Sequence, residues 1–97
     1  MIAVAQRAAA VARTQATPHI GYRVHGTTGS PVLLVMGLAM SGRGWESQIE
    51  GLAPHHRVIS FDHLGIGTSD RLRRPLSMKS MAQDALRVLA DAGFERA

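Results

Sequence analysis

A chain of 97 residues that is 45% hydrophobic and 19% charged holds one domain at most, and is too apolar to be disordered. Its net charge is +4, yet Arg7, Arg13, Arg23 and Arg43 stand singly with no aromatic interleaving, so no nucleic-acid partner is expected. The absence of cysteine excludes a disulfide framework and a thiolate metal site, and fits a reducing, cytoplasmic compartment.

Residues 1–18, MIAVAQRAAAVARTQATP, form an alanine-rich lead-in expected to be poorly ordered. Ala10-Val11-Ala12 resembles a cleavage site, but Gln6 and Arg7 break the apolar run and no basic residue precedes it, which argues against a secretory signal. No segment approaches the roughly 18 apolar residues of a membrane span, so no membrane partner is expected. In HIGYRVH, residues 19–25, Ile20, Tyr22 and Val24 alternate as one buried face of a strand. Gly26 to Ser30 read as a turn. PVLLVM, residues 31–36, is a continuous apolar run of the kind buried on both faces of a parallel sheet. GLAMSGRG, residues 37–44, is a loop; residues 45–53 form a short helix that Pro54 ends.

RVISF, residues 57–61, is a further core strand, followed by the glycine-containing stretch DHLGIGTSD and the arginine-rich Arg71-Leu72-Arg73-Arg74-Pro75. The last helix starts at Ser77, a good N-cap, and stops at Gly93, with Met78, Met81, Ala82, Ala85, Leu89 and Ala92 expected on one apolar face. Strands alternating with helices predict an α/β fold: about three strands and two helices of a mostly parallel sheet, over residues 19–97. So few elements cannot cover both faces of such a sheet, and the chain reads as the front part of a larger domain.

Several chemistries fail on local grounds. A dinucleotide loop needs a third glycine opening a helix, but Gly65-Ile66-Gly67-Thr68-Ser69 leads to the anion Asp70 and then to Pro75. A nucleophile elbow needs G-x-S-x-G, and neither Ser41 nor Ser69 has both glycines. His55 and His56 are adjacent and point apart, which suits solvent better than a metal. His63 follows a strand end, but the sequence names no acid–base partner for it. No cofactor or metal is expected.

PVLLVMG, SGRGW, RVISFDHLGIGTSD and SMKSMAQDALRVLADAGFERA together resemble the N-terminal portion of the α/β-hydrolases, over residues 20–97. The D-x-x-G-x-G-x-S turn after an apolar strand carries most of that resemblance. It implies that Gly37 lets the oxyanion loop turn sharply and that the backbone N–H of Leu38 faces the developing oxyanion; Met36 stands where the family usually has histidine. By the same resemblance Asp62, Gly65, Gly67 and Ser69 give structural support beside the site, with Ser69 and Asp70 bonding locally. Leu64 stands where the family often has arginine. No triad residue maps onto the chain, because the G-x-S-x-G elbow belongs to the next strand.

The implied full-length form hydrolyses a small-molecule ester or lactone through Ser-His-Asp/Glu, and the 97-residue chain alone is expected to be inactive. Ala39 stands where epoxide hydrolases often carry proline. Open sheet edges are expected to let the isolated chain self-associate. The alternative is a non-catalytic binding protein that uses the unfinished sheet.

Overall fold

The computed structural model describes residues 10–72 and 75–97; Arg73 and Arg74 of the arginine-rich stretch, and residues 1–9 of the lead-in, lie outside them. Among the described residues the strands are β1 (Ala12–Arg13), β2 (Gly21–His25), β3 (Pro31–Leu34) and β4 (Arg57–Phe61), and the α-helices are α1 (Glu46–Leu52) and α2 (Met78–Ala92). The strands lie in the order β1-β2-β4-β3. β3 and β4 pair in parallel, with Val32 opposite Val58. β2 runs antiparallel to β4, and β1 antiparallel to β2, so the sheet is mixed.

β4 takes the central position because every residue after Arg57 is buried. Val58 and Ile59 are fully buried, and Phe61 nearly so. Ile59 and Phe61 share one face with Ile20 and Tyr22, and there they meet Ala85 and Val88 of α2. Val58 and Ser60 project to the other face, and α1 and the 3-10 turn Gly42–Trp45 pack against the same strand. β3, expected to be buried on both faces, is only half-buried along its length. It pairs with β4 on one side and forms the edge of the described sheet.

The alanine-rich stretch is ordered further back than expected. The Thr14 amide donates to the Ile20 carbonyl at 3.0 Å, and the Thr14 hydroxyl accepts from the Ile20 amide at 2.9 Å. Thr14 is 1% exposed, a buried hydroxyl whose bonds are all met by neighbouring backbone. This closes β1 onto β2 and pins the segment from Ala12 onward. Tyr22 then ties the sheet to α2, its hydroxyl donating to the Asp91 carboxylate at 2.6 Å. Burial, and then the Asp91 carboxylate, push the Tyr22 hydroxyl up to about 12, so it remains a donor.

The limits of α2 follow the local chemistry. Ser77 and Ser80 exchange side-chain-to-backbone hydrogen bonds of 3.0 Å in a capping box, and Gly93 ends the helix at φ 87°. Its buried face, however, is rotated from the expected one. Asp84, Ala85 and Val88 are buried, with Leu89 and Ala92 packed beside them, whereas Ala82 is exposed and Met78 is 80% exposed. Leu76, just before the cap, packs against the core instead. Asp84 disguised the true stripe, since a charged residue reads as solvent-facing when only periodicity is counted.

Val88→Ala should therefore lower the stability of the folded protein by about 2 kcal/mol through lost burial and a residual cavity. Met78→Ala should change it by no more than about 0.5 kcal/mol. Chemical denaturation midpoints measure both, and equal losses would contradict the observed helix orientation.

Candidate functional site

β4 ends where the chain meets its most heavily bonded residue. Asp62 is 3% exposed, and its two carboxylate oxygens divide the work between two loops. Oδ1 accepts from the Gly42 amide at 2.7 Å and from the Ser41 hydroxyl at 3.2 Å. Oδ2 accepts from the Thr68 amide at 2.9 Å and the Thr68 hydroxyl at 2.7 Å. Burial pushes this carboxyl up, but the donors from Thr68, Gly42 and Ser41 outweigh it and hold Asp62 below the ordinary carboxylate range. A buried anion is tolerable on those terms, with its lone pairs met on both sides.

Glycine is required where the turn closes around this carboxylate. Gly67 has φ 49°, and a Cβ there would stand 2.5 Å from Asp62 Oδ2. Gly65 also adopts a positive φ, at 84°. Ser69 bonds locally, donating to the Asp62 carbonyl, but its oxygen also accepts from the Gly21 amide at 2.9 Å. Asp70 reaches further than expected. Its carboxylate accepts from the His19 amide at 2.9 Å and pairs with the Arg13 guanidinium. The His19 amide, and after it the Arg13 charge, hold Asp70 below the usual carboxylate range despite some desolvation. The turn thus fastens the lead-in and β2 to the end of β4.

The loop after β3 faces this turn. The Met36 carbonyl accepts from His63 Nε2 at 2.7 Å, so the loop is tied to the turn near its start as well as at Gly42. Between the ties the Met40 amide donates to the Gly37 carbonyl at 3.3 Å, closing a tight turn through Leu38 and Ala39. The left-handed residue of that turn is Ala39, at φ 66°, and not Gly37. A Cβ on Gly37 would meet nothing within 4 Å, so the sharp bend expected at Gly37 falls two residues later. Leu38 is 65% exposed, and its amide donates no hydrogen bond among the described residues. A free backbone N–H on an anchored, exposed turn can serve a bound anion.

The two serines weighed as nucleophiles are both engaged: Ser41 donates to Asp62 and accepts from the Arg43 amide, and Ser69 spans Asp62 and Gly21. His55 is exposed, and His56 lies against Ser30. Asp62 was legible as a supporting residue, but Ser41 and Gly42 as its partners were not. They stand 20 and 21 residues away in sequence with no spacing rule to join them. Arg13 and His19 were missed for the same reason, since an unremarkable arginine in an alanine-rich stretch carries no signal of its target.

The sequence profile of the alpha/beta hydrolase fold matches residues 30–97. RutD of Azorhizobium caulinodans, a protein assigned as a carbamate hydrolase, is 46% identical over 76 residues, which cover 78% of this chain. The structure of a thermophilic esterase from Thermogutta terrifontis superposes on 88% of the chain with a TM-score of 0.71 and 31% identity. That of the N-acyl homoserine lactonase AidH superposes on 92% with a TM-score of 0.82 and 26% identity. The chain spans only 28% of the RutD protein, 33% of the esterase chain and 34% of the lactonase chain.

Asp62→Asn should destabilise the folded protein by about 3 kcal/mol at neutral pH, because an amide cannot accept all four bonds. The depressed carboxyl contributes its stability above the unfolded value of about 4 and loses it as pH falls through the folded value. The gap between wild type and Asp62→Asn should therefore narrow as pH falls below about 4, and denaturation curves taken at successively lower pH measure it. Gly67→Ala should cost about 2 kcal/mol through its positive φ and the contact with Asp62, with little pH dependence of its own.

Proposed function

The chain belongs to the alpha/beta hydrolase fold family, and on that footing we propose that it forms the oxyanion-binding front of a hydrolase for small carbonyl compounds of the ester, lactone or carbamate class. The observation that carries this reading is the free amide of Leu38, held on an exposed turn whose far end is anchored by the buried Asp62 carboxylate. When a nucleophile attacks a carbonyl, negative charge gathers on its oxygen. A backbone donor already in place needs no rearrangement as that charge appears, and one such donor is worth about 3–4 kcal/mol.

The nucleophile, a serine activated by histidine and an acidic residue, would come from chain outside these residues, as would the second oxyanion donor. Ser41 and Ser69 are structural, since each hydroxyl is committed to the Asp62 turn. Ala39 stands where epoxide hydrolases often carry proline, which supports a carbonyl substrate over an epoxide. Proline holds φ near −65° and could not replace Ala39 at φ 66°. The names of the carbamate-assigned, esterase and lactonase relatives agree with a carbonyl carbon as the point of attack, and small size is the part of the proposal that rests on the sequence resemblance. Among the described residues no helix is long and apolar enough to cross a membrane, and the cysteine-free composition supports a cytoplasmic site of action.

A full-length protein carrying this segment should react with a fluorophosphonate probe and hydrolyse p-nitrophenyl acetate. The 97-residue chain alone should do neither, and labelling of Ser41 or Ser69 would contradict the roles given to them here. In the full-length protein, Leu38→Pro removes the amide hydrogen at a turn position that tolerates proline. It should lower kcat about 100-fold or more with little change in KM; an unchanged kcat would remove Leu38 from the oxyanion hole.

A further inference from the structure

His63 is 2% exposed, two residues past the end of β4, with its ring set edge-on to Phe61 at a centroid distance of 5.2 Å and an interplanar angle of 80°. Its Nε2 stands 2.7 Å from the Met36 carbonyl oxygen. That oxygen can only accept, so Nε2 is the donor. Nδ1 is buried and has no hydrogen-bond partner among the described residues. Packing alone does not account for this side chain, because a leucine of similar bulk would fill the space without leaving a buried polar atom unmet. Nor is the ring placed for proton transfer: one nitrogen is engaged by a carbonyl and the other is enclosed.

The consequence of the bond lies one peptide further along. The Met36 carbonyl and the Gly37 amide share one peptide plane, and the Gly37 carbonyl and the Leu38 amide share the next. Gly37 joins the two planes with the freest torsions of any residue, and no Cβ contact restrains it. Among the described residues, the second plane is held only by the 3.3 Å bond from Met40 to the Gly37 carbonyl. Pinning the first plane leaves the Leu38 amide only the torsions at Gly37, and the Met40 bond limits those, so the clamp and that bond together orient it. Asp62 holds the loop at Gly42, and His63, the next residue, holds it at Met36.

We propose that His63 is a positioning residue that aims the Leu38 oxyanion donor by clamping the Met36 carbonyl; the inference rests on the role given to Leu38 above. It acts through backbone orientation and touches neither substrate nor nucleophile.

The test uses the full-length protein with three variants and p-nitrophenyl acetate as substrate. His63→Leu keeps the bulk and removes the donor. His63→Gln carries an amide hydrogen to about where Nε2 sits, and His63→Asn carries one that falls short of Met36. His63→Leu and His63→Asn should lower kcat about tenfold or more with KM changed less than about twofold, and should weaken binding of a boronic acid transition-state mimic by the same factor as kcat. His63→Gln should recover most of both. A role in packing alone would shift the denaturation midpoint without that parallel loss, and His63→Leu would then rescue as well as His63→Gln. If His63→Leu does not fold, the contrast between Gln and Asn decides the matter. Wild-type kcat and mimic affinity in His63→Asn would overturn this inference alone. A wild-type protein inert to both fluorophosphonate and ester would overturn the hydrolase reading, and this one with it.

Discussion

A single buried carboxylate holds the two loops at the end of β4 together. Asp62 accepts from two loops at once, Ser41 and Gly42 on one side and Thr68 on the other, at the point where the central strand stops. A charge in that position is costly unless nearly every lone pair is met. The geometry of both loops is therefore constrained by the need to satisfy it: the glycine-built turn must bring Thr68 back over the carboxylate, and the loop after β3 must bring its backbone amide within reach. Removing either partner would leave the anion short of donors, which is why the two loops act as one unit.

The same end of β4 collects the rest of the chain. Ser69 receives the Gly21 amide, and Asp70 receives His19 and Arg13, so the turn that closes around Asp62 also fastens β1 and β2. On the opposite flank Asp91 near the end of α2 accepts from Tyr22 and from the Gln15 amide. Carboxylates held by defined donors thus mark the seams between elements that the apolar core alone would leave free to slide. Ile59, Phe61 and Val88 supply the burial, and the carboxylates tie the elements at their ends.

Much of the fold was legible because its signals are local. Ser77 and Gly93 bracket α2 by the chemistry of helix ends, RVISF coincides with β4, and Gly65 and Gly67 adopt the positive φ that their turn demands. Signals that depend on a partner elsewhere were misread or silent. Periodicity alone places Met78 in the core and passes over Asp84, and the family resemblance points to Gly37 for the bend that Ala39 makes. β1 had no pattern of its own, since two residues of an alanine-rich stretch become a strand only by pairing with Tyr22 and Gly21.

The sequence by itself determined the limits of β4 and α2, because caps, turns and apolar runs act through neighbours a few residues apart. It also determined the family, through a turn motif whose glycines are required by backbone geometry. The tertiary structure decided which polar groups meet: Asp62 with Gly42, His63 with Met36, Asp70 with Arg13. Those pairs are separated by 20 to 57 residues and are selected by how the loops converge at the end of β4, a property of the folded sheet that no local spacing encodes.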